Sequence, residues 1–249
     1  MSKYFMDCEF LEGKQDKRFL GIKYGETKPT IDLISIGIVC ENGNTYYAIS
    51  NEFNLKDAWN RYDTESYDKQ GNILSKPRRV YWIRDNVLLP IYRDFVCGDA
   101  RNVYDFSYQT MKWILKSIGK SNKQIAKEVK QFVYKNDEVD FCRNDIGGNE
   151  HYSYAPLNTN PKFYGYYCDY DWVVFCWVFG KMVNLPQGFP MYCRDLKQML
   201  DEKEMDRQDG TDMVELRNLP TYPKQTNEHN ALSDAKWNFE LFKFLQGVS

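Results

Sequence analysis

A chain of 249 residues, 43% hydrophobic and 16% aromatic, is long enough to bury a real core, and this composition argues against disorder. The formal net charge of −2 neither demands nor excludes a nucleic-acid partner, because bound metal can supply local positive charge to a balanced protein. No run of roughly 18 apolar residues occurs, which excludes a membrane-spanning helix.

The first residues carry no apolar run of the secretory kind. The 7 cysteines are odd in number and form no C-x-x-C pair. Free thiols in a reducing cytoplasm are therefore expected, with neither a disulfide framework nor a zinc site. No Pro/Gly/Ser-rich linker divides the chain, so a single domain over 1–249 is expected.

In chain order, residues 4–11 read as a short strand that is apolar apart from its acids. Residues 31–40, rich in Ile and Val, are a second strand. The Asn-Gly turn at 42–43 tolerates positive φ and returns the chain into a third strand over 45–50. The charged stretch between the first two strands reads as a flap or extended hairpin. A polar stretch over 60–79 follows, and then a helix over 80–96 interrupted at Pro90. Residues 122–134 form an amphipathic helix, with Ile125, Val129, Phe132 and Val133 on one side and Ser121 as N-cap. Residues 136–161 look like a surface insertion, and His151 within it reads as an exposed loop histidine.

Residues 163–168 suit a buried strand, 171–183 a helix, 190–193 a short strand, and 194–203 a short helix. After a polar loop over 206–228, a last helix runs from about Ala231 to Leu245, with Asn230 as N-cap. The order β-β-β-α-β-α-β-α defines an α/β protein with a mixed central sheet flanked by helices.

Asp7 and Glu9 sit two apart on a strand, so both carboxylates project from one face while Cys8 turns into packing. Two neighbouring acids on an apolar strand repel each other and lose hydration unless cations bind there. The bland alternative is a pair that reaches solvent at the strand end. Asp171 follows the aromatic strand and opens a helix, at the strand edge where α/β folds build sites. Taken alone it is better read as a capping acid, and Asp169 competes with it. Asp171 is preferred because Val174 and Phe175 then face the core one turn later. Asp234 shares a helix face with Trp237, Leu241 and Leu245, and a carboxylate there wants a partner. His229 precedes that helix and can approach the same place from the rim. Four oxygen donors of this kind suit Mg²⁺ or Mn²⁺.

The order of these residues is D-x-E near the start, an Asp after a mid-chain strand, and H-x-x-x-x-D opening a late helix. It resembles the DEDDh branch of the DnaQ-like 3′→5′ exonucleases, which share an RNase H-like fold. Further blocks are similar to the RNase AS family of exoribonucleases acting on poly(A). They are residues 4–10, 30–39, 46–53, 82–88, 170–173, 185–190, 194–198 and 229–235. Against that family the segments near 12–29, 60–79 and 136–161 look like insertions.

The resemblance implies hydrolysis of single-stranded RNA, or of DNA, from a free 3′ end by two metal ions roughly 4 Å apart. It implies Asp7 bridging the ions, Glu9 and Asp234 completing one, Asp171 serving the other, and His229 as general base. A homodimer is a further implication. Phe10, directly after the acidic pair, is a candidate to stack on the terminal base, although it reads equally well as a packed strand residue. Ser35, on the neighbouring strand, is a second candidate for contact with that nucleotide. The lysines over 112–135 read more readily as a solvated helix face than as a phosphate guide. Two rival readings are a DNA exonuclease on the same fold and a catalytically silent RNA-binding module.

Overall fold

The computed structural model describes residues 2–20, 22–67, 73–97, 105–137, 141–146, 149–154, 160–206 and 215–247, the segments within 141–154 by their backbone alone. The chain opens with β1 (Lys3–Gly13), a small hairpin of β2 (Asp16–Phe19) and β3 (Ile22–Glu26), and then β4 (Thr30–Cys40) and β5 (Thr45–Ile49). Next come α1 (Leu55–Asn60), a hairpin of β6 (Asp63–Tyr67) and β7 (Ile73–Val80), and α2 (Leu89–Cys97), which a π-helical turn at Arg84–Leu88 leads into. Helices α3 (Tyr108–Ile118) and α4 (Asn122–Asn136) precede a hairpin of β8 (Phe141–Ile146) and β9 (Asn149–Tyr154). The remainder is β10 (Lys162–Gly165), α5 (Asp169–Val178), β11 (Arg194–Asp195), α6 (Leu196–Asp206) and α7 (Ala231–Gly247).

Five strands form the central sheet in the order β11-β10-β1-β4-β5. The pairs β1–β4 and β4–β5 are antiparallel, whereas β1–β10 and β10–β11 are parallel, so the sheet is mixed as expected. One face of β1 and β4 carries Tyr4, Met6, Cys8, Ile36 and Ile38 and packs on α4 and α5. The other face carries two separate apolar clusters. Phe5 and Val39 pack with α6 and α7, while Leu11 and Ile34 pack with α1, α2 and α3. Along this face β1 reads Phe5, Asp7, Glu9, Leu11, so the two acids occupy the seam between the clusters. None of the described helices is long and apolar enough to cross a membrane.

Several elements differ from the sequence reading. Pro90 does not break its helix. It cannot donate a backbone hydrogen bond, and its ring would crowd the carbonyl four residues back. The chain widens into the π turn just before it, where the Leu89 N–H bonds to the Arg84 carbonyl. Within the stretch 60–79 the described residues form the paired antiparallel strands β6 and β7. Residues 190–193 are not a strand. The short strand is Arg194–Asp195, and the helix starts only at Leu196 because the Asp195 carboxylate accepts from the N–H groups of Lys197 (2.6 Å) and Gln198 (3.2 Å). Ser121 and Asn230 do cap α4 and α7, accepting from the Gln124 and Ser233 N–H groups. The lysines at 112, 116, 123 and 127 lie on exposed helix faces. The side chain of His151 falls outside the described residues.

Gly37 sets how closely α7 approaches the sheet. It pairs with Asp7 across β1–β4, and a Cβ there would stand 2.2 Å from the Ala231 carbonyl oxygen. The bare backbone therefore seats the first turn of α7 directly beside Asp7. Gly37→Ala is expected to lower the melting temperature by roughly 2–12 °C. That range follows from about 1–3 kcal/mol of overpacking at about 2–4 °C per kcal/mol for a chain of this size. A thermal melt indistinguishable from the parent would show that α7 is not seated this tightly.

Candidate active site

The acids in the seam of β1 meet α7 from above. Oxygen atoms of Asp7, Glu9 and Asp234 all lie within 4.8 Å of one another. Asp234 is in the first turn of α7 and is held by two donors. The Gln225 Nε2 reaches Oδ1 at 2.6 Å, and the His229 backbone N–H reaches Oδ2 at 2.8 Å. His229 adopts φ +64°, a left-handed conformation that histidine visits more readily than bulkier residues. This conformation turns its N–H toward the helix start, while its ring meets the edge of Trp82 with centroids 4.8 Å apart.

Asp171 arrives from the opposite side. β10 pairs with β1 only over Lys3–Phe5, so the later N–H groups on that edge of β1 need other partners. Asp171 Oδ1 accepts from the Cys8 N–H at 2.7 Å and takes the place that a longer β10 would have held. Asp171 is buried and Asp169 exposed, which places the preferred acid of the two against the cluster. The start of α5 is itself anchored by Asp195, whose Oδ2 accepts from the Cys168 N–H at 2.9 Å.

The resulting cleft has a volume of ≈ 270 Å³. It is lined by the four acids, His229 and Phe10, together with Trp82, Gln225 and Asn238, which sequence reasoning missed. Asn238 was the most accessible of these, because it lies one helical turn after Asp234. Its Nδ2 donates to the Met6 carbonyl at 2.9 Å, and its Oδ1 is buried with no hydrogen-bond partner among the described residues. Gln225 sits in a loop and left no periodic signal. Phe10 is half-buried and touches the edge of Tyr170, with centroids 6.1 Å apart. It packs partly on the core and also forms part of the cleft wall. A register shift between Glu9 and Phe10 pairs Phe10 with Leu33 and leaves Ile34 as the extra residue on β4. Ser35, opposite Glu9 in register, is 1% exposed and lies inside the protein, not on the cleft wall. The expected contact between Ser35 and a nucleotide is corrected to a packing position.

No Lys or Arg among the described residues lines this cleft. Burial first, and then the charges of Asp234 and Asp171, raise Glu9 to about 8. Burial raises Asp171 to about 7, against the lowering effect of the Cys8 N–H. Asp7 is pushed well above the ordinary carboxylate range by burial and by the other three acids. Asp234 is raised by burial, while Gln225 and the His229 N–H oppose the shift. The set consists of hard oxygen donors with excess negative charge and one orphaned buried oxygen, so it fits divalent cations such as Mg²⁺ or Mn²⁺.

A stability dependence on pH follows. Glu9 and Asp171 keep their protons to about 8 and about 7 in the fold, whereas in the unfolded chain they lose them near the ordinary 4.5 and 3.8. Between these limits the folded, metal-free protein binds more protons, so its stability falls as pH rises through the window. In EDTA the melting temperature at pH 8 is expected to lie about 5 °C or more below that at pH 5.5, and Mn²⁺ to remove the difference. A melting temperature in EDTA that is flat or rising across this range would contradict the electrostatic picture.

In broad class this is an α/β protein of mixed sheet with a carboxylate-lined candidate cation cleft over its middle strand. Comparison with known proteins narrows the class. Residues 16–246 match the family described as the 3′-5′ exoribonuclease Rv2179c-like domain, and the chain belongs to that family. It is similar to the 3′-5′ exoribonuclease Rv2179c of Mycobacterium tuberculosis strain ATCC 25618 / H37Rv, at 23% identity over 243 residues, 98% of this chain and 92% of that protein. The 3′-5′ exoribonuclease MT2234.1 of strain CDC 1551 / Oshkosh is similar to the same extent, 23% over 243 residues.

Proposed function

We propose that this chain is a metal-dependent 3′→5′ exoribonuclease of the DEDDh type, releasing 5′-mononucleotides from single-stranded RNA, with adenine-rich 3′ tails as the preferred substrate. The observation that carries the reading is the convergence of four acids, three of them buried and Asp7 half-buried, with no Lys or Arg among the described residues lining their cleft, in a chain of an exoribonuclease family. The strand order, with three antiparallel strands followed on one side by two parallel ones, supports an RNase H-like fold.

Asp7, Glu9 and Asp234 are the residues to hold one ion, and Asp7 with Asp171 those to hold a second. When bound, such ions neutralise the scissile phosphate and make water a better nucleophile. The remaining work falls to the protein. The His229 imidazole, on the rim of the cleft, takes the proton from the attacking water. Its ring is held against Trp82 and its backbone against Asp234, so orientation and acid geometry are fixed by one residue. Phe10 and Trp82 offer aromatic surface on which the terminal base can stack.

The test is digestion of end-labelled linear RNA with Mg²⁺ or Mn²⁺, beside a circular RNA and a matched DNA. Mononucleotides from the linear RNA, a resistant circle and slower DNA cleavage are expected. Cleavage of the circle at a comparable rate would show an endonuclease, and equal rates on RNA and DNA would reverse the sugar preference. A second copy of the chain is the further partner this reading implies. Light scattering that returns only monomer at micromolar concentration removes it.

A further inference from the structure

A second and larger concavity, ≈ 830 Å³, lies between the β2–β3 hairpin, α1 and the base of the β6–β7 hairpin. Its cations are Lys14, Lys23, Lys56, Arg61 and Arg79, against the carboxylates of Asp16 and Asp57. In a chain with 33 basic and 35 acidic residues this is a marked local excess of positive charge. Part of it is already engaged. Lys23 pairs with Asp16 at 2.7 Å, and Arg61 pairs with Asp57. Among the described residues no carboxylate pairs with Lys56 or Arg79, and both are exposed.

Aromatic rings run through the same wall. The Arg79 guanidinium lies 4.5 Å from the Tyr62 ring centre, Tyr62 and Tyr81 are 5.7 Å apart, and the Arg84 guanidinium lies 3.9 Å from Tyr81. Cations without a carboxylate partner beside aromatic rings, Tyr62 exposed and Tyr81 half-buried, match the two surfaces of a single strand, its phosphates and its bases. An isolated anion has no use for the rings.

The groove is joined to the acid cleft by short covalent links. Tyr81 lines the groove and its neighbour Trp82 lines the cleft. Phe10 in β1 lines the cleft, and Lys14, just past the end of β1 and four residues on, lines the groove, at most roughly 13 Å of chain away. Arg61 fixes the junction by donating to the Glu12 carbonyl and, at 3.0 Å, to the Lys14 carbonyl.

We propose that this groove binds the upstream, 5′-ward nucleotides of the single-stranded RNA whose 3′ end occupies the acid cleft. The proposal rests on the exoribonuclease reading for the position of the 3′ end. The groove is built largely from the two segments, 12–29 and 60–79, that the sequence sets apart as insertions. They are thus the means by which this chain holds a longer strand than the cleft alone accommodates.

The test uses the full chain and a Lys56→Glu/Arg79→Glu double variant. Affinity for a 5′-fluorescein-labelled 20-mer of oligo(A) is read by anisotropy in EDTA, where hydrolysis is stopped. The variant is expected to bind roughly tenfold or more weakly. The slope of log K against log salt should be shallower by about 1.4, at about 0.7 for each lost phosphate contact. With Mg²⁺ restored, the ratio of kcat/KM on the 20-mer to that on a dinucleotide should fall about tenfold. Unchanged affinity and slope, or equal losses on both substrates, would overturn the groove, as would inorganic phosphate competing as well as unlabelled oligomer at equal phosphate. Should circular dichroism show the double variant misfolded, Lys56→Gln alone must still reduce the slope by about 0.7. A parent chain that binds the 20-mer but hydrolyses no RNA would remove the exoribonuclease reading and leave the groove standing.

Discussion

Asp7→Asn is expected to reduce RNA hydrolysis by at least ~10³-fold while making the metal-free protein more stable. Asn preserves the volume of the side chain and removes only its charge. Asp7 stands at the centre of the cluster, and the charges of Asp171, Glu9 and Asp234 all act on it. In the metal-free protein burial and the three neighbouring acids disfavour that charge, so at pH 8 the fold must either hold Asp7 protonated or bear the repulsion, and Asn does neither. A rise in melting temperature of a few degrees is expected, which is about 1–2 kcal/mol for a chain of this size. The stabilisation by added Mn²⁺ should shrink in the same variant, because fewer charges remain to attract the ion. Melts with and without Mn²⁺ beside an activity assay separate the effects. A variant that is both less stable in EDTA and equally responsive to Mn²⁺ would mean that Asp7 is a structural acid, and the cation-site reading would fail.

His229→Ala is expected to lower the rate by roughly 10²–10⁴-fold, the usual range for loss of a general base. The Mn²⁺ response should nevertheless survive. What reaches Asp234 from His229 is the backbone N–H at 2.8 Å, which any replacement except proline retains. The substitution has one structural side effect, since φ +64° at position 229 is unfavourable for alanine. His229→Gly adopts that conformation freely, and His229→Asn tolerates it, so the three variants separate backbone strain from lost chemistry. If all three lose activity alike and keep the Mn²⁺ shift, the imidazole supplies the base. If Gly or Asn restores full rate, the histidine is a bystander. If all three lose the Mn²⁺ response as Asp7→Asn does, His229 is a ligand and the assigned roles are wrong.

Local patterns revealed most of the sheet and all four acids. The alternation in β1 put Asp7 and Glu9 on one side, and the apolar residues after Asp171 distinguished it from Asp169. Patterns that depend on distant neighbours were not readable. The register shift after Glu9 depends on where β4 runs, and it is what lets Phe10 share itself between core and cleft. Helix α1 has only six residues and is stabilised by the Asn54 side chain on the Asp57 N–H and by packing of Leu55 and Ala58, with no repeating stripe. Helix α3 carries a proper stripe in Met111, Ile114 and Leu115, but its lysines gave the segment the look of a charged run. Trp82 is brought to His229 by the π turn and the packing of α2, neither of which any short window contains.

The hydrogen bond from Asn238 to the Met6 carbonyl joins residues 232 positions apart and clasps α7 over the seam in β1. Closing so long a loop adds little to the thermodynamic cost, since each doubling of length contributes only about 0.6 kcal/mol. Its effect is on charge. Strands β1, β4 and β5 are close in sequence and carry Asp7 and Glu9, whereas Asp234 comes from the far end of the chain. Docking of α7 brings Asp234 against two like charges, so electrostatics resists this contact in the metal-free protein. On the proposed reading the cation is a latch as well as a reagent. It secures the final helix, and its departure loosens the same end of the molecule that it arrived to close.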